Sequence, residues 1–446
     1  MPAALLFQLT SLLVSVLMVP LFLRVLTPDV YLLWLVFTTI GGMLLQIEAS
    51  IQTLMVRRMA LASPEIDPAG FAHERARART AYRRLSVVAS AVALPGGIAY
   101  IHWVVQPAAT ISWLLAWIVV SLAYTVNFLC GPNNCTLLST GRNDRFFLTM
   151  SMSRVLHFGG TLTALLLGFG LTGISVAFAL AVAFSCVTIA RQSRRTFDHS
   201  TDAAVQAAAD RVAVDETGLL RFGIFTLAAF VIYRGAVMLV IAYFPGSSAT
   251  SYGLALQAYA IIGAVAVLPL QVRLHRLVVV RRDGDAAGVD AEVATAMWFA
   301  FLTIAAGLLS LTLVGAPLLK IIGSGVAMPP FVTLAAMAFA FLVEALILVL
   351  INLLLLEKNV TFVRDYVGGV VAALSLAALS LWCGGGLVVS MLVLPALVQA
   401  LVTLPLIARR VARLRKQRVH RMIRDLVAGT PTPRGLGRRR LARTRR

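Results

Sequence analysis

Runs of about twenty apolar residues, parted by short polar links, recur along the whole of this 446-residue chain. A helix needs about 20 such residues to cross roughly 30 Å of hydrocarbon. Composition agrees: charged residues make up 13% of the chain, against about 25% in a soluble domain. The mean hydropathy is +0.88. The expected fold class is an all-α polytopic membrane protein. Residues 3–23 lack a basic leader and a small-residue cleavage site, so they are expected to be a first span and not a cleaved signal.

Runs and breakers predict twelve spans, at 3–24, 30–55, 85–105, 111–138, 146–168, 171–190, 222–244, 251–271, 291–313, 331–355, 361–382 and 386–408. Short links such as "LTPDVY", "GFGLTG", "YFPGSSATSY" and "WCGGG" carry turn-forming residues. With both termini placed in the cytoplasm, 36 of the 39 Lys and Arg fall in the inner links and the C-terminal tail. The outer side then holds only Arg24 and Lys320, and Arg234 falls inside a span. That asymmetry is the positive-inside pattern and sets the orientation. The longer inner link at 191–221 predicts two six-helix bundles around a central cavity, at 1–190 and 222–408, followed by a basic cytoplasmic tail at 409–446.

The formal charge of +20 therefore lies on the face that meets anionic headgroups. Anionic membrane lipids are the expected partners of this charge, and nucleic acid is not. Residues 70–84, "GFAHERARARTAYRR", predict a basic helix leading into the third span, and residues 408–428 an amphipathic helix on the inner leaflet. The four cysteines, Cys130, Cys135, Cys186 and Cys383, have no metal-ligand spacing and imply no disulfide framework. The absence of a GxxxxGK[ST] phosphate loop argues against ATP hydrolysis.

Each half opens with a span, a short outer turn, a tyrosine and an apolar helix that ends in basic residues. The first reads "FLRVLTPDVYLLWLVFTTIGGMLLQ" before "MVRR", the second "MLVIAYFPGSSATSYGLALQAYAIIGAVAVLPLQ" before "VRLHR". Six helices per half make the repeats parallel, an organisation that transporters use with the substrate site at the repeat interface.

These stretches, with "LSTGRNDRFF", "GAPLLKIIGSG" and "LLLLEKNVTFVRDY" following in order, resemble the polysaccharide flippases of the MATE-like MOP superfamily over nearly the whole chain. The resemblance implies a transporter of the bacterial inner membrane. It would move undecaprenyl-pyrophosphate-linked oligosaccharide (O-antigen or exopolysaccharide) from the inner to the outer leaflet by alternating access. It implies a lipid-linked oligosaccharide as substrate, and a polysaccharide polymerase and assembly proteins as partners. The chain departs from the family at Tyr233-Arg234, where the acidic residue that often precedes the basic one is missing. A cation-coupled small-molecule exporter and a peptidoglycan-precursor flippase are alternatives on the same fold. A membrane glycan polymerase is the alternative from an enzyme class, but it calls for a long outer loop or an acidic motif that the chain lacks.

Polar residues inside the spans are the candidate site, because a charge at mid-membrane is costly and persists with a partner, a wet cavity or a task. Arg234 and Glu344 lie at matching mid-span depth, so they either pair or face the cavity separately. Glu48, Arg154 and His157 lie towards the inner side, and Arg24 at the outer end of the first span. A guanidinium suits a diphosphate because its fork binds two oxygens and stays charged. A desolvated carboxyl such as Glu344 suits proton traffic. No cofactor or metal is expected, and H+ or Na+ coupling stays open.

Overall fold

A computed structural model describes residues 2–62, 67–108, 111–195, 223–225, 227–243, 247–282, 286–322, 326–356, 362–384, 386 and 389–414. Helix dominates these residues, in the order the apolar runs predict. The first six helices are α1 (Pro2–Val25), α2 (Pro28–Leu61), α3 (Pro68–Tyr100), α4 (Trp113–Ser139), α5 (Asn143–Leu166) and α6 (Gly170–Arg194). A π turn, Val231–Gly235, leads into α7 (Ala236–Tyr243), and α8 (Ser247–Arg282) and α9 (Ala286–Ser310) follow. Next come α10 (Phe331–Leu356), α11 (Phe362–Trp382) and α12 (Leu404–Leu414), the last preceded by π turns at Val389–Val393 and Gln399–Thr403.

Local chemistry sets the helix ends. Pro28 and Pro68 open α2 and α3 at positions where the missing N–H has no helical partner to lose. The Asp67 carboxylate caps α3, accepting from the Gly70 N–H at 2.9 Å. Gly141 and Gly168 turn the chain between α4, α5 and α6 at positive φ (73° and 76°), backbone that side chains disfavour.

Ten helices among the described residues are long and apolar enough to cross a membrane. Two of the twelve expected spans fall short of that standard. The fifth is helical as far as Leu166 in α5, but Arg154, His157 and five hydroxyl residues lower its hydropathy. The seventh is interrupted by residues outside the described set. Some ends also move. The arginine-rich stretch at 70–84 is the first part of α3 itself, and α2 and α8 extend well past their predicted inner ends. The amphipathic stretch at 408–428 is described only as far as Leu414, where it continues α12, and the basic tail lies outside the described residues.

The chain packs into two compact units. One comprises the described residues of Met1–Gly253 with Pro317–Met328, and the other those of Leu254–Ala316 and from Pro329 onward. The sequence boundary at 191–221 falls almost wholly outside the described residues. In the first unit α4 packs on α2, α3 and α6, while α5 packs on α1 and α6. Small hydroxyls bind these helices together, as Ser90 and Thr125 do (2.6 Å) and as Ser153 does by donating to the Ala181 carbonyl (2.8 Å). In the second unit α10 packs on α9 and α12. The ion pair Arg410–Asp365 joins α12 to the start of α11.

Candidate functional site

α5 shows the site most directly. Its residues 150, 151, 157, 161, 164 and 165 form a buried or half-buried stripe, while 148, 152, 155, 156, 159 and 163 are exposed. Arg154 lies at i+3 or i+4 from residues of this stripe, yet it is itself exposed, as 152, 155 and 156 are. It interacts electrostatically with Tyr124 and with His157.

Aromatic rings pack around the neighbouring His157. His157, one turn from Arg154, lies 5.4 Å from Phe178 of α6 and 6.4 Å from Trp34 of α2, centroid to centroid. Phe178 in turn lies 5.0 Å from Tyr124 of α4. Gly41 of α2 lets the Tyr124 ring come this close, since the ring fills the space a Cβ would take. The Nε2 of His157 is buried and has no hydrogen-bond partner among the described residues. This part of the first unit thus places an exposed guanidinium one turn from an imidazole nitrogen without a hydrogen-bond partner among the described residues, beside a cluster of aromatic rings.

Glu48 lies deeper along the same face of α2. Trp34, Gly41 and Glu48 recur every seven residues, so Glu48 stands about 21 Å along the helix from Trp34. It is 7% exposed and accepts a hydrogen bond from Asn134 of α4. Asn134 in turn accepts from the Cys130 thiol at 3.9 Å. Tyr82 and Cys135 complete the cluster, their Oη and Sγ 3.8 Å apart. Oε1 of Glu48 has no hydrogen-bond partner among the described residues. All four cysteines are free.

The other sequence candidates lie on other helices. Arg24 is exposed in the last turn of α1, where a cation complements the carbonyl end of the helix. Arg234 lies in the π turn Val231–Gly235, and its side chain is outside the described residues. Glu344 is half-buried on α10 in the second unit and interacts electrostatically with Tyr366 of α11. Thus the structure brings Arg154 and His157 together. Sequence reasoning missed Trp34, Tyr124 and Phe178. The signal that reaches one of them is the seven-residue spacing of Trp34, Gly41 and Glu48.

No family model matches the chain, and no curated protein matches it by sequence. Solved structures share its fold. The inward-facing form of a multidrug resistance MATE family transporter of the MOP superfamily superimposes with a TM-score of 0.65 at 14% identity, over 93% of this chain and 96% of that one. The lipid II flippase MurJ, in an inward closed conformation, gives 0.65 at 11% identity, over 96% and 89%. A MOP superfamily transporter from Pyrococcus furiosus, described with a binding pocket of reverse polarity, gives 0.55 at 15% identity, over 93% and 96%. The chain is thus a multi-pass membrane protein with the MATE- and MurJ-like transporter fold.

Proposed function

We propose that this protein is a flippase of the bacterial inner membrane, with both termini in the cytoplasm. It moves an undecaprenyl-pyrophosphate-linked oligosaccharide from the inner to the outer leaflet for surface polysaccharide synthesis. The observation that carries the reading is Arg154, an exposed guanidinium one turn from buried His157 on a membrane helix. Moving a pyrophosphate-sugar headgroup through hydrocarbon is slow because its charges lose their water without replacement. An arginine facing water inside the protein supplies that replacement, taking two phosphate oxygens in its fork. Nε2 of His157 adds a further hydrogen-bonding group beside it, and Trp34, Tyr124 and Phe178 offer faces on which sugar rings stack.

In this reading the two six-helix bundles alternate between inward and outward openings around a central cavity while the lipid tail stays in the bilayer. Arg234, at the middle of the seventh span, is the second proposed phosphate contact. Glu344 and Glu48 are the carboxyl groups available for H+ or Na+ coupling, and Arg24 meets the headgroup on the outer side. The fold neighbours support transport, since they include a multidrug transporter and a lipid II flippase. A cationic-drug exporter fits less well, because the exposed charge of Arg154 is itself positive.

The test is complementation in a strain lacking the protein, with protein levels matched. Arg154→Ala is expected to leave the lipid-linked intermediate on the inner leaflet and deplete surface polysaccharide, while Arg154→Lys keeps part of the activity. Full surface polysaccharide in Arg154→Ala cells would reject this site.

A further inference from the structure

In the first unit, at the arginine-bearing end of α6, a cavity of about 550 Å³ lies between α3, α4 and α6. Three arginines line it, Arg75 and Arg79 from α3 and Arg194 from the end of α6, together with Asn133 of α4. No carboxylate among the described residues lines it. Arg75 is 2% exposed, so its guanidinium is built into the protein, and its Nη2 donates to Ser193 Oγ at 3.4 Å. Three guanidinium groups on one cavity match an anion with several oxygens, which is the chemistry of a phosphate ester.

The remaining wall says which kind of phosphate ester. Leu129 and Pro132 of α4 form an apolar side of the cavity. Leu129 is 50% exposed, and the residues above it on the same face of α4, Val126 and Leu122, are 44% and 56% exposed. α6 runs alongside, with the Cys186 thiol donating to the Val126 carbonyl at 3.8 Å. An accessible apolar track therefore leaves the arginine cavity and climbs the outside of α4 towards the hydrocarbon. The cavity itself lies at the arginine-rich end of these helices, the end that the positive-inside pattern assigns to the inner leaflet. A phospholipid has this shape, with its phosphate at headgroup level and an acyl chain rising from it.

We infer that this cavity binds the phosphate of an anionic inner-leaflet phospholipid, whose acyl chain lies along Leu129, Val126 and Leu122. Binding here is independent of the transport chemistry at Arg154. Native mass spectrometry of the full-length protein tests it, with phosphatidylglycerol or phosphatidylcholine titrated in detergent. The double variant Arg79→Gln/Arg194→Gln leaves buried Arg75 intact. It is expected to bind phosphatidylglycerol about thirtyfold more weakly, at roughly fivefold per arginine. The control Arg83→Gln/Arg84→Gln makes the same charge change at exposed positions of α3 outside the cavity, and should bind as the wild type does. Millimolar inorganic phosphate should fail to displace the lipid, and Val126→Asn should weaken lipid binding. Equal losses in the two double variants, or equal binding of phosphatidylcholine, would overturn the site. Displacement by inorganic phosphate would overturn the lipid and leave a site for a free phosphate.

Discussion

In the first unit Gly41 of α2 lies under the Tyr124 ring of α4, and in the second Gly263 of α8 lies under the Phe341 ring of α10. Other features repeat as well. α3 ends in the π turn Ile101–Val105, and α9 runs into the π turn Leu311–Gly315. The third helix of each half packs on the fourth, and the fourth on the sixth. The tyrosines near the starts of α2 and α8, Tyr31 and Tyr252, are 1% and 2% exposed. The chemistry set into this shared plan differs. α5 carries Arg154 and His157 at its middle, whereas α11 has its charged pair, Arg364 and Asp365, only at its start. The second unit instead places its mid-helix charge, Glu344, on α10. Packing glycines and buried tyrosines are thus what the repeat keeps, while the ionisable residues vary, which is the pattern expected if those residues serve a substrate and not the scaffold.

The comparison is broken most sharply by transport. Arg154→Ala should lower the proposed flipping by about 10–100-fold, the value of one charge-assisted hydrogen bond to the substrate. Glu344→Gln should cost less than about tenfold in the same assay. A larger loss at Glu344 would move the working site to the second half. Stability is next. Gly41→Ala forces its Cβ into the Tyr124 ring and should cost about 1–3 kcal/mol. A Cβ at Gly263 meets Phe341 at 3.1 Å, which a small ring shift relieves, so Gly263→Ala should cost less than about 1 kcal/mol. Unfolding of both variants in detergent checks the order.

Smaller effects sharpen the account. Glu48→Gln keeps an acceptor for Asn134, and Glu48→Ala does not, so the two should differ by about 1 kcal/mol in unfolding free energy. A difference near zero would mean that the bond contributes nothing to stability. The Arg410–Asp365 pair is partly exposed (28% and 15%), and a double-mutant cycle should give it only about 0.2–1 kcal/mol, falling with added salt.

The membrane class and the order of the helices were legible because a hydrocarbon slab imposes one length and one polarity on every span. α5 shows where that rule thins. Its Arg154 and His157 marked it as a candidate site from sequence, and the same residues keep it below the standard of an apolar span. The aromatic cluster near Arg154 was less legible. Trp34, Tyr124 and Phe178 come from three helices, and nothing in their local sequence says that they meet around His157. The arginine cavity was hidden for a related reason. Arg75 and Arg79 are neighbours in sequence, but Arg194 joins them only because α6 packs against α4 and α4 against α3.

The central claim is that Arg154 faces water inside the protein. In a variant with the four native cysteines replaced, Arg154→Cys should react with an anionic, membrane-impermeant thiosulfonate, and undecaprenyl pyrophosphate should slow that reaction. The lipid-facing control Leu156→Cys should not react. If position 154 reacts only with a lipid-soluble maleimide, as position 156 does, then Arg154 faces the bilayer and the proposed path for the headgroup is wrong.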